Sequence, residues 1–135
     1  MTKKNKKDYI YAVGRRKTAS ARVRLYRGKG ENIANGISIA KYFSRPNDVE
    51  TRMKPFRAAD VSDKFYVSVK VAGGGKNSQV EAVAHGIARA LVKSDKDLRI
   101  PLKKAGVLTR DPRERERRKV NTGGKARSKK QSPKR

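Results

Sequence analysis

Thr18-Ala19-Ser20-Ala21-Arg22-Val23-Arg24-Leu25-Tyr26 alternates small or apolar residues with polar ones at every step. Side chains of a strand point to opposite faces with a period of two. Ala19, Ala21, Val23 and Leu25 therefore share one face, and Ser20, Arg22, Arg24 and Tyr26 share the other. Residues 64–71 repeat the pattern, with Phe65, Val67, Val69 and Val71 opposite Lys64, Tyr66, Ser68 and Lys70. Both segments read as half-buried strands whose outer faces are polar and positive. Residues 9–13 predict a third strand, and Asn35-Gly36 within residues 31–39 predicts short hairpin-like pairing.

The period changes to that of a helix over residues 78–93. Val80, Val83, Ala84, Ile87 and Leu91 form one apolar stripe. Ser78 is the expected N-cap, with Glu81 three residues on completing a capping box. Residues 95–105 predict a second short helix, disturbed by Pro101 and ended at Gly106. Residues 46–62 read ambiguously, with one helical turn or two. Strands with helices on one face make the expected fold class α+β.

Charge shows where this body ends. The 135 residues include 37 Lys or Arg against 12 Asp or Glu, a net charge of +25. Residues 1–8 carry +3, residues 9–108 carry +13, and residues 109–135 carry +9 with almost no apolar periodicity. The expected organisation is a basic N-terminal arm at 1–8, a folded body at 9–108, and an extended basic tail at 109–135. Residues 110–119 mix charge signs and suit a short exposed helix after Pro112. Beyond Val120 the chain cannot bury apolar area; fully extended, it reaches roughly 50 Å at about 3.3 Å per residue. So much like charge implies a polyanionic partner. No apolar run approaches the roughly 20 residues that span a bilayer, and the Lys-rich start lacks a signal-peptide core. A cytoplasmic protein on nucleic acid, with no membrane partner, is the expectation.

The residues for other chemistries are missing. There is no Cys, which excludes disulfides, thiolate metal sites and thiol nucleophiles, and His85 is the only His, so no zinc cluster or His-rich metal site is expected, and no cofactor. His85 shares a helix face with Glu81 and Arg89; it reads first as an exposed or partly covered helix side chain and second as an RNA contact. Gly73-Gly74-Gly75-Lys76 lacks the spacing of a nucleotide-binding phosphate loop. It is equally a tight turn or an anion contact at a helix N-terminus. Arg15-Arg16-Lys17 lies between two strands, and Arg22, Arg24 and Arg27 continue its positive surface. Arginine forks bind phosphate oxygens in pairs and stack on bases, which suits folded RNA.

Three blocks then resemble one family in order. The first is Gly14-Arg15-Arg16-Lys17-Thr18-Ala19-Ser20-Ala21-Arg22-Val23. The second is Lys70-Val71-Ala72-Gly73-Gly74-Gly75 with Gln79 and His85-Gly86-Ile87-Ala88-Arg89-Ala90-Leu91. The third comprises Leu102, Lys104-Ala105-Gly106, Leu108-Thr109-Arg110-Asp111 and Glu116-Arg117-Arg118-Lys119. Together they resemble the S-nine family of small-subunit ribosomal proteins, in its bacterial-type branch. The resemblance implies a two-layer α+β fold with a left-handed βαβ crossover, an exception to the usual hand. It implies rRNA of the subunit head (the 3′ major domain), peptidyl-site tRNA and neighbouring head ribosomal proteins as partners. Carried over, Arg15, Arg16, Lys17, Arg22, Arg89, Arg110, Arg117, Arg118, Lys119, Lys125 and Arg127 are expected on rRNA, and Lys134 and Arg135 on tRNA. No catalytic residue is implied. Two departures stand out: Ser78 replaces a usual Gly, and the tail ends Gln131-Ser132-Pro133-Lys134-Arg135 without the usual aromatic.

The expected function is thus a non-enzymatic structural constituent of the small subunit, cytoplasmic and ribosome-bound. A free nucleic-acid-compacting module is the rival that charge alone equally fits. A small kinase-like enzyme is a weaker one, lacking a phosphate loop and clustered acids.

Overall fold

Alternating residues become long strands because one face of each finds a core. In the computed structural model, which describes residues 9–61, 64–110 and 112–114, β1 (Tyr9–Arg16), β2 (Ala19–Arg27) and β5 (Phe65–Ala72) lie antiparallel side by side. The register aligns Ala21 with Val71, Val23 with Val69, and Leu25 with Val67. All six are buried, each fully buried Val or Leu contributing about 1.5–3 kcal/mol. The third strand is longer than its alternation suggested, running on through Arg16.

The expected hairpin is β3 (Ile33–Ala34) and β4 (Ile37–Ser38). Asn35 and Gly36 both take positive φ, 51° and 84°, as a primed two-residue turn requires. The alternation gave no sign that β3 also pairs parallel to β5, which completes a mixed five-strand sheet in the order β1-β2-β5-β3-β4. Asparagine side chains lengthen this two-residue strand. Asn32 Oδ1 accepts from the Val67 N–H, and Asn35 Oδ1 from the Val71 N–H, at 3.0 and 2.8 Å.

Between β4 and β5 lie α1 (Ile39–Tyr42) and α2 (Pro46–Ala59). The second is a full helix of 14 residues, where one or two turns were expected. Its inward stripe is Asp48, Arg52, Pro55, Phe56 and Ala59, helical in spacing but not apolar in composition. Asp48 is tolerated inside because Arg45 meets it twice, at 2.9 and 3.1 Å.

The long helix α3 (Lys76–Ser94) starts earlier than its expected cap. Gly75 is the N-cap, and Ser78 is a buried first-turn residue, so the capping-box expectation is corrected. The cause is the preceding turn: Gly73 and Gly74 hold φ of 78° and 61°, values Gly adopts without steric cost. The chain reverses at once, and Glu81 is left to pair elsewhere. The expected stripe is buried, and so are Ala82, Gly86, Ala88 and Ala90, because α3 packs on both the sheet and α2. The expected helix at 95–105 is a 3-10 turn, Lys96–Leu98, followed by α4 (Arg99–Lys104). Pro101 sits in the first turn of α4, where a missing N–H costs nothing, and Gly106 ends it at φ 78°. Thr109, Arg110 and Pro112–Glu114 form no helix; the remainder of 110–119 lies outside the described residues, as does the arm at 1–8.

Two glycines bring α3 onto the sheet. A Cβ on Gly14 would fall inside the Ala82 carbonyl and the Gly86 nitrogen, and one on Gly86 would meet Val23 Cγ2 at 2.6 Å. Gly14→Ala is therefore expected to destabilise the body by about 1–3 kcal/mol through overpacking. A lowered urea midpoint with an unchanged slope checks this; an unchanged midpoint would mean the helix can stand off without cost.

Candidate nucleic-acid interface

On α3, His85, Arg89 and Lys93 recur every four residues; on the edge strand β1, Tyr11, Val13 and Arg15 recur every two. Four helical residues advance about 6 Å and two strand residues about 6.6–6.8 Å, so the rows stay in step. Lys93 Nζ donates to the Tyr11 carbonyl at 2.8 Å, and Arg89 Nη1 to the Val13 carbonyl at 2.6 Å. The Arg15 N–H donates to His85 Nδ1 over a longer 3.4 Å. His85 Nε2 lies 3.1 Å from the Leu108 carbonyl. A neutral ring with its proton on Nε2 satisfies both contacts, donating to one and accepting from the other. Burial pushes the His85 pKa below its ordinary 6.5; the Leu108 carbonyl opposes this, and Arg89 and Arg110 reinforce it. Of the two readings of His85, its geometry matches the partly covered helix side chain.

Arg16 lies across the turn. Its Nε meets Glu81 Oε2 at 2.6 Å and its Nη1 the Arg113 carbonyl at 2.5 Å, with only 11% of the side chain exposed. The start of the expected tail is therefore fastened to the body, past the boundary drawn at residue 108. Lys17 is exposed at the tip of the turn with φ 54°. Beside it opens a cleft of about 320 Å³ whose lining includes Arg15, Arg16, Lys54, Glu81, His85 and Thr109. The glycine loop packs against the same turn. A Cβ on Gly73 would come within 2.5 Å of the Thr18 carbonyl oxygen, so these glycines serve a tight turn. Gln79 closes the loop by donating to the Gly73 carbonyl at 3.0 Å.

The remaining expected RNA contacts fall in three places. Arg15 and Lys17 are exposed at the turn, Arg22 is exposed on the open sheet face, and Arg89 and Arg110 are exposed around His85. Arg16 and Arg89 thus also hold the fold. Arg117, Arg118, Lys119, Lys125, Arg127, Lys134 and Arg135 lie outside the described residues. Other cations join the described groups. Arg24 and Lys70 flank Arg22 in the strand register, while Lys93 and Arg99 line a groove with Arg89. The strand alternation already put Arg24 and Lys70 on that face; nothing in sequence spacing brought Arg99 to Arg89. Among the described residues, no three His, Cys, Asp or Glu side chains gather as a metal site. None of the described helices is long and apolar enough to cross a membrane.

Small size, an α+β body, and strands β1, β2 and β5 without a single acidic residue define a small, strongly basic α+β protein. Comparison with known proteins makes this specific. The family model described as ribosomal protein S9/S16 matches residues 14–135. The small ribosomal subunit protein uS9 of Desulfotalea psychrophila is 45% identical over 128 residues, covering 95% of this chain and 98% of that protein. The uS9 of Desulfovibrio desulfuricans is 50% identical over 111 residues, 82% and 85% of the two chains. That of Maridesulfovibrio salexigens is 46% identical over 129 residues, 96% and 98%. The chain belongs to the ribosomal protein S9/S16 family.

The lowered His85 pKa gives the body a pH dependence. The folded state holds the proton less tightly than the unfolded chain, so this contribution is complete above about pH 6.5. It is lost as pH falls from there through the lowered folded value, because burial, and after it the Arg89 and Arg110 charges, disfavour the imidazolium. The thermal midpoint is expected to fall between pH 7.5 and 5.5, and less steeply in His85→Gln. Equal slopes for both proteins would detach the effect from this ring.

Proposed function

We propose that the chain is a structural, non-catalytic constituent of the small ribosomal subunit, ribosome-bound in the cytoplasm. Its body (9–108) binds rRNA of the subunit head, in the 3′ major domain, beside neighbouring head proteins. The arm at 1–8 and the tail at 109–135 add further cations to those of the body. The observation that carries the proposal is the family match over residues 14–135, in a chain that exposes cations at one turn, on one sheet face and around His85. Arg15, Lys17, Arg22, Arg89 and Arg110 supply phosphate contacts from the body, with Arg16 shared between Glu81 and the RNA. Arg117, Arg118, Lys119, Lys125 and Arg127 continue them along the tail. Lys134 and Arg135 meet the backbone of peptidyl-site tRNA, where charge-assisted hydrogen bonds are stronger than neutral ones. The connection from β3 to its parallel neighbour β5 takes the left-handed sense that the family resemblance implies.

Two experiments separate body from tail. Deleting Lys134 and Arg135 is expected to weaken tRNA binding at the peptidyl site roughly tenfold or more with subunit assembly intact. Unchanged tRNA affinity in truncated subunits would remove the tail contact. Arg15→Gln combined with Lys17→Gln is expected to lower occupancy when wild type competes during reconstitution. These two side chains are exposed, so the loss would come from RNA binding; equal occupancy would move the docking surface elsewhere.

A further inference from the structure

The face of the sheet turned away from α3 is composed of rings and cations. Cross-strand register sets Tyr9, Tyr26 and Tyr66 in one row across β1, β2 and β5; Tyr11, Arg24 and Ser68 in the next; and Val13, Arg22 and Lys70 in a third. Tyr26 and Tyr66 stack with centroids 5.1 Å apart and planes 11° apart, and Tyr9 tilts over Tyr26 at 5.6 Å. The Arg24 guanidinium lies 4.9 Å from the Tyr9 centroid. The first row is thus filled with its own contacts. Tyr11 differs: it is 43% exposed, and no other ring packs against it among the described contacts. A concavity of about 310 Å³ opens there, lined by Tyr9, Tyr11, Arg22, Arg24, Ser68 and Lys70.

We infer that this concavity is a stacking site for unpaired RNA nucleotides, with a base on the Tyr11 ring and its flanking phosphates on Arg22, Arg24 and Lys70. The inference rests on the RNA-binding reading above and names the form of RNA that this face takes. Its volume falls at the lower end of small-ligand clefts, about 300–1,000 Å³, and suits a nucleotide. The lining holds three cations and no acid, which complements a phosphate chain and repels a basic protein surface. Duplex RNA keeps its base faces covered by stacking, so an exposed ring set in a sheet gains nothing from it beyond phosphate charge. Splayed bases stack on aromatic side chains and are the usual targets of sheet platforms. The first row reaches into the second: Arg24, paired with Tyr11 in the register, is held over the Tyr9 ring.

The test begins with the full chain binding a short oligouridylate and, separately, an RNA duplex with the same number of phosphates, at matched salt. Tyr11→Leu is expected to lose about tenfold in affinity for the oligouridylate and none for the duplex, while Tyr11→Phe keeps both. Arg22→Gln is expected to weaken both and to lower the log–log salt slope by about 0.7–0.9. Tyr11→Leu binding oligouridylate like wild type, or losing both ligands equally, would overturn the stacking site. Tyr11→p-azidophenylalanine, carried into reconstituted small subunits and irradiated, provides the second readout. A crosslink to an unpaired rRNA nucleotide supports the site; a crosslink to protein, to paired rRNA or to nothing overturns it. Entry of that variant into subunits reports on the structural role itself, so a failed crosslink in an assembled subunit leaves the ribosomal reading standing.

Discussion

The closure of β1 by α3 is the contact on which the rest depends. An edge strand offers unpaired N–H and C=O groups to any passing chain, and β1 is long and lies at the end of the sheet. Helix α3 supplies His85, Arg89 and Lys93 to the Arg15 amide and to the Val13 and Tyr11 carbonyls. They reach because Gly14 and Gly86 let the backbones of strand and helix approach to a distance that no side chain would permit. Two of the sequence blocks that define the family, one around Gly14 and one around Gly86, are thus two sides of a single contact. The opposite edge needs less protection, since β4 is only two residues long.

This explains which parts of the fold were legible in the sequence. Strands β2 and β5 and the inner stripe of α3 could be read because each has one face in the core and one in solvent, so composition follows period. Helix α2 could not be read as a full helix, because Asp48, Arg52 and Pro55 occupy its buried stripe and spoil any apolar count. The N-terminus of α3 was placed late because Ser78 and Glu81 have capping-box spacing, while the glycine turn sets the start and Arg16 takes the glutamate. The parallel pairing of β3 with β5 rests on two residues and two asparagine side chains, too short to leave a periodicity. Among the candidate site residues, Arg15, Arg16, Lys17 and Arg22 could be named from the charge pattern, and the others only from the family resemblance. Their division between fold-holding and outward-facing groups required the strand register.

That division bears on how a chain carrying +25 folds at all. Lys76 donates to the Tyr42 carbonyl and lies 3.5 Å from the Tyr42 ring centroid, and Lys93, Arg89 and Arg16 end on backbone carbonyls. Each such cation satisfies an acceptor that an uncharged donor could also have served, and places positive charge close to the surface. The body thereby uses its excess charge as hydrogen-bond donors. Some of the repulsion inherent in that charge is offset locally by carbonyl dipoles before any polyanion arrives.

Separate surfaces follow from the same geometry. The helix side of β1 is filled by closing contacts, so its cations are oriented by the fold and have limited freedom to track a ligand. Among the described residues no helix covers the opposite face of the same strands; Tyr9, Tyr26, Tyr66 and Arg24 pack on one another there, and no other ring packs on Tyr11. Strand alternation makes this unavoidable, because every residue that avoids α3 must face outward. One strand pair therefore carries two kinds of positive surface, a braced one along the edge and an aromatic one on the open face. Phosphate contact at the first and base contact at the second would hold a single folded RNA by both its backbone and its unpaired nucleotides.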